Sequence, residues 1–122
     1  MALRISALLL TLALGLTSAF AENSPEQNVQ SLYYECKAPI GSPEYGICLG
    51  YIAGASDLLR FLYVYKQLHP EDANNPFQLC ETPSYGALVQ AFTKWAENNP
   101  REWSKNRLTG VMLSITANWP CR

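Results

Sequence analysis

Residues 48–65, CLGYIAGASDLLRFLYVY, decide how this chain is read. The stretch is almost wholly apolar, yet it holds two glycines four apart, Gly50 and Gly54, and two charges, Asp57 and Arg60. Three readings compete: a membrane span, a buried core helix, or one wall of a binding surface. Each charge near the middle of a span costs about 2.5–3.5 kcal/mol on insertion scales, so the membrane reading loses. On a helical wheel, Cys48, Tyr51, Ile52, Ala55, Leu58, Leu59 and Leu62 form one apolar stripe. Ile47, Gly50, Gly54, Asp57, Phe61 and Val64 form a second beside it, and Arg60 and Tyr63 lie on the remaining face. Two stripes imply neighbours on two sides, which makes this the central helix of a small bundle. Glycines at i and i+4 let another backbone come close, and tight packing there is expected to offset their cost of about 1 kcal/mol each relative to alanine. Asp57 is expected to make a structural hydrogen bond or ion pair, inside the bundle or at a subunit contact, rather than to act as a catalytic acid.

Ser42-Pro43 starts this helix, with serine as cap and proline in the first turn, and it runs to about Gln67. Upstream, Ser24-Pro25-Glu26-Gln27 reads as the start of a first helix whose face is Val29, Leu32, Tyr33 and Cys36. Downstream, Thr82-Pro83 opens a third helix with Tyr85, Leu88, Val89, Phe92, Trp95 and Ala96 on one face. Asn99-Pro100 stops that helix and caps a fourth, with Glu102 at the capping-box position and Leu108, Val111, Met112, Ile115 and Trp119 along it. Nothing alternates long enough to make a strand. The fold class is therefore all-α: a small four-helix bundle-like domain.

Residues 1–21 read as a secretory signal peptide. Arg4 supplies the positive end, Ile5–Leu16 the apolar run, and Ala19-Phe20-Ala21 the small-residue cleavage site. The remaining domain, residues 22–122, is expected in the periplasm, without membrane insertion once the leader is cleaved after Ala21. The formal net charge of the whole chain is −1. With no basic stripe, nucleic acid is excluded as a partner. All four cysteines, Cys36, Cys48, Cys80 and Cys121, lie beyond the leader. An even count in a small exported chain reads as two disulfides, and the wide spacings do not suit zinc.

Catalytic chemistry is poorly supplied. His69 is the single histidine, and no nucleophile elbow, zinc-protease helix or phosphate loop occurs. The chain is read as a non-enzyme, with no cofactor. His69, Glu71 and Asp72 sit close enough in sequence to touch a metal, but a solvated loop is the preferred reading and no metal is expected. Aromatic residues are plentiful instead, and exposed tyrosine and tryptophan are enriched at protein–protein hot spots. The candidates for contact with a partner are Arg60, Tyr63, His69, Glu71, Asp72, Asn75, Asn99 and Trp103. They cluster on the outer face of the second helix, the loop of residues 69–79, and the turn of residues 98–103.

Four motifs in order carry a resemblance: CLGYIAGASDLL (48–59), a cysteine before a helix at Cys80, the NNP turn ending at Pro100, and a terminal WPC. Together they resemble the Rap/Tai immunity proteins of type VI secretion systems. The family elements fall on Cys48, Gly50, Tyr51, Ile52, Gly54, Asp57, Cys80, Asn99, Pro100, Pro120 and Cys121, and span residues 36–121. Arg101 departs from the pattern, since an acid commonly follows that proline. The resemblance implies a small exported helical protein, often a homodimer, that binds and blocks a peptidoglycan-cleaving amidase toxin in the periplasm. The rival class is a small periplasmic helical chaperone of the acid-stress type.

Cys36 ends the first helix and Cys48 opens the second across a short turn, so they are expected to pair. The tight NNP turn makes the last two helices antiparallel and brings Cys80 to Cys121. The alternative pairing is Cys48–Cys80 with Cys36–Cys121, which peptide mapping without reduction distinguishes.

Overall fold

Four helices carry residues 26–72 and 77–122, the part of the chain that the computed structural model describes. They are α1 (Val29–Lys37), α2 (Pro43–Leu68), α3 (Tyr85–Asn98) and α4 (Arg107–Asn118). Single 3-10 turns follow α2 (Pro70–Asp72) and α3 (Pro100–Glu102). The expected leader, residues 1–21, and the candidate Asn75 lie outside the described residues.

Local chemistry explains most of the boundaries. Ser42 caps α2, its hydroxyl accepting from the Tyr45 N–H at 3.2 Å, and Pro43 occupies the first turn. Gly41, with φ of 91°, makes the turn before it in a region that L side chains rarely enter. Three starts differ from the sequence reading. The first helix begins at Asn28, in a capping box where Asn28 Oδ1 accepts from the Ser31 N–H at 2.8 Å and Ser31 Oγ accepts in return. Ser84, not Thr82-Pro83, caps α3. Asn99-Pro100 starts only the 3-10 turn; α4 begins later, capped by Asn106. The reason lies in Asn99, whose side chain is turned back to donate to the Trp95 carbonyl at 2.8 Å and so closes α3 instead.

Every helix packs on the other three. Val29, Leu32, Ile52, Leu59, Leu88, Phe92, Val111 and Ile115 fill the centre, each worth about 1.5–3 kcal/mol of burial. The segment between α3 and α4 is tied to the start of α1: the Val29 N–H donates to the Lys105 carbonyl at 2.9 Å, and the Gln30 N–H to that of Trp103 at 3.1 Å. Two disulfides close the ends, Cys36–Cys48 between α1 and α2, and Cys80–Cys121 across α3 and α4. This is the pairing expected from helix order.

One expectation about α2 fails. Its first stripe is buried, with Cys48, Ile52, Ala55 and Leu59 in the core, although Leu58 is exposed. The second stripe is left uncovered by the described residues. Ile47, Phe61 and Val64 of that stripe are 53%, 61% and 52% exposed, and Leu68, one turn further on, is 72% exposed. A Cβ added at Gly50 or Gly54 would find no described atom within 4 Å, and Asp57 is exposed. Among the described residues the glycines therefore serve no close approach, and Asp57 lies at the surface rather than inside the bundle. Helices α1, α3 and α4 cover only one side of α2. The close-approach glycine is Gly110 on α4, which is buried, and where an added Cβ would lie 2.6 Å from Val29 Cγ2.

Candidate functional site

Surface groups that the helices hold rigidly are the ones suited to binding. The most elaborate set lies where α1 meets the turn after α3. Tyr33, Tyr34 and Trp103 form a mutually touching triad, with ring centroids 5.3–6.0 Å apart. Trp103 is anchored from below, its Nε1–H donating to the Ala96 carbonyl at 2.8 Å. Tyr33 donates its hydroxyl to Glu97 Oε1 at 3.0 Å, and Lys37 Nζ reaches the same oxygen at 3.3 Å. The carboxylate gains a neutral donor and a cation. Its pKa is held below the usual 4.5, first by the Tyr33 hydroxyl and then by Lys37. The same hydrogen bond raises the Tyr33 pKa above 10.0, because losing the proton would place two negative groups together. Tyr34 stands outside this bracing and is largely exposed.

A second cluster joins α1, α2 and α4. The Arg107 guanidinium sits 4.1 Å over the centre of the Tyr51 ring and 3.8 Å from Glu35 Oε2. That oxygen is buried and accepts no hydrogen bond among the described residues, so Arg107 balances it by charge at a distance too long for a hydrogen bond. The motif tyrosine Tyr51 is thus the platform for a half-buried cation that links three helices.

At the far end of α2, the Tyr65 ring stacks on His69 with centroids 4.4 Å apart, and the Tyr65 hydroxyl donates to Asp72 Oδ2 at 3.1 Å. His69 Nδ1 lies 3.4 Å from Glu71 Oε1. A shallow cleft of about 220 Å³ lies along α3, lined by Ala91, Lys94, Trp95, Asn98, Asn99 and Asn118. It is smaller than the pockets that commonly hold drug-sized ligands.

The structure brings some sequence candidates together and separates others. His69, Glu71 and Asp72 converge. Arg60 and Tyr63 lie elsewhere on α2, exposed and half-buried. Trp103 is part of the aromatic triad, whereas Asn99 is half-buried and spends its amide on the end of α3. Pro100 and Pro120 lie at the surface where α3 and α4 end. Sequence reading missed Glu97, Lys37 and Arg107, because the partners of each stand on other helices and no linear spacing links them.

A family model described as Rap1a immunity proteins matches residues 28–121, almost the whole of the chain beyond its leader-like start. No curated protein and no solved structure matches the chain.

Proposed function

This chain belongs to the Rap1a immunity protein family and is thus an immunity protein directed at a toxin, and from that premise we propose a more specific role. It is exported to the periplasm, forms a homodimer, and blocks a peptidoglycan amidase delivered by type VI secretion, with no turnover of its own. The single observation that carries the role is the family match over residues 28–121. The compartment is supported by the leader-like residues 1–21 and by the two disulfides, which persist where the surroundings are oxidising.

Inhibition by a protein of this size requires a preformed surface, since ordering side chains on binding costs about 0.5–1.5 kcal/mol each. The Tyr33–Tyr34–Trp103 triad suits that need. Trp103 is fixed by Ala96 and Tyr33 by Glu97, Tyr34 packs against both rings, and Lys37 and Glu97 supply polar groups beside them. We assign the toxin-facing surface to this triad and its charged rim.

The homodimer is supported by the uncovered stripe of α2. Helix α2 is long and apolar enough to span a membrane, and only 28% of its apolar window is buried within the chain. In an exported protein such a face needs cover, and Gly50 and Gly54 leave a smooth patch where a second α2 can lie close. Asp57 and Arg60 on or beside the stripe favour a protein partner over lipid.

The test of function is co-expression in the periplasm with the toxin encoded beside the gene. Protection of the cells and a stable complex in solution are expected, with Trp103→Ala weakening the complex. Equal lysis with and without the protein, and no complex, would remove the immunity reading for that toxin. Multi-angle light scattering tests the dimer; a single chain at micromolar concentration rejects it.

A further inference from the structure

We propose that the end of α2 and the turn after it form a binding site for a divalent transition metal of the zinc class. His69, Glu71 and Asp72 are its three protein ligands, and water or a group from a partner takes the fourth position. One potential ligand atom from each residue lies within 4.8 Å of the other two, and His69 Nδ1 and Glu71 Oε1 are already 3.4 Å apart. Tetrahedral zinc with bonds of about 2.0–2.2 Å sets its ligand atoms about 3.3–3.6 Å apart. Small rotations of exposed side chains close the remaining gap.

The backbone and a neighbouring side chain hold this arrangement. The His69 N–H donates to the Tyr65 carbonyl at 2.9 Å, ending α2, and the Asp72 N–H donates to the His69 carbonyl at 3.1 Å, folding the acid back toward the imidazole. Tyr65, which is not itself a ligand, fixes two of the three. Its ring stacks on His69, and its hydroxyl donates to Asp72 Oδ2. Partners that orient ligands in this way are typical of built metal sites. The location adds a favourable field, because the carbonyl end of a 26-residue helix carries partial negative charge. One imidazole nitrogen with two carboxylates suits zinc and its neighbours. Calcium, which takes six to eight oxygens, is poorly served. A bound ion clamps the turn at residues 70–72 to the last turn of α2.

The site is independent of the immunity role and is tested without the toxin. Tag-free protein with both disulfides intact is titrated with zinc chloride by calorimetry, with calcium chloride as the comparison. One zinc per chain is expected, with no saturable calcium binding. His69→Ala removes the zinc binding, and Tyr65→Phe, which keeps the ring and loses only the hydroxyl, weakens it about 10–100-fold. Zinc should also raise the melting temperature of the native protein and not that of His69→Ala. Absence of zinc binding, or equal binding by the native protein and His69→Ala, overturns the proposal.

Discussion

Replacing Gly110 by alanine adds one methyl group at the tightest point of the bundle. Its carbon would lie 2.6 Å from Val29 Cγ2, 3.1 Å from Trp95 Cζ3 and 3.5 Å from Phe92 Cε2. Carbon atoms pack best at about 3.5–4.0 Å, so the overlap with Val29 is close to ~1 Å. Val29 has nowhere to go. It is fully buried, its branched side chain is stiff, and its backbone is pinned to Lys105 and framed by the Asn28 capping box. Helices α1 and α4 must part instead. Overpacking commonly costs about 1–3 kcal/mol, and with both sides fixed the upper part of that range applies. Alanine returns about 0.8–1 kcal/mol of helix propensity. The net loss is about 2 kcal/mol, a fall of roughly 8–16 °C in melting temperature for a domain of this size. The assay is thermal and urea unfolding by circular dichroism with disulfides intact. Two companions sharpen it. Gly86→Ala, in a helix but with nothing described within 4 Å of the new carbon, should be neutral or stabilising by up to about 1 kcal/mol. Gly110→Ala made in a Val29→Ala background should show a favourable coupling of about 1–2 kcal/mol, because the clashing methyls are gone. A Gly110→Ala protein as stable as the native one, or a coupling of zero, would refute this account of how α1 meets α4.

The pH response of the Tyr33–Glu97 pair has a definite sign. Glu97 is depressed, so its contribution is present above about 4.5 and is lost as pH falls through its lower folded value; Tyr33 is raised, so its contribution is present below about 10 and is lost as pH rises through its higher folded value. Melting curves of the native protein and Tyr33→Phe should therefore differ across the neutral range and converge at both extremes, and a constant difference counts against the pair. Gly54→Leu should leave the single-chain fold intact, since no described atom lies within 4 Å, yet convert the proposed dimer to monomer in sedimentation. An unchanged dimer places the interface elsewhere. Replacing Cys80 and Cys121 together by serine opens a loop of sequence separation 41 and should cost about 4 kcal/mol in the chain-entropy treatment, read by urea unfolding. Trp103→Ala should weaken toxin binding by about tenfold or more, about 1.4 kcal/mol, in a calorimetric titration, and unchanged affinity removes the triad from the interface.

The sequence by itself determined the helical class, the Ser42-Pro43 start of α2 and the order of the four helices. Caps and i, i+4 spacings act within a turn or two and need no knowledge of the rest of the chain. Helix order also favoured pairing Cys36 with Cys48 and Cys80 with Cys121 over the alternative Cys48–Cys80 with Cys36–Cys121, and the structure has the favoured pairs. Even a local signal misled where two uses competed: Asn99 reads as the cap of a fourth helix, but its amide closes α3, and α4 waits for Asn106. The pattern of α2 shows two largely apolar stripes without showing what, if anything, covers each. Only tertiary structure decided that the core takes Ile52 and Leu59 and leaves Phe61 and Val64 outside. The same holds for the glycines. Gly50 and Gly54 have the spacing of a close-packed ridge and meet no described atom within 4 Å, whereas the isolated Gly110 lies against Val29. Whether a missing side chain matters depends on the distance to a neighbouring helix, which the docking of α1 on α4 sets and no short-range pattern encodes.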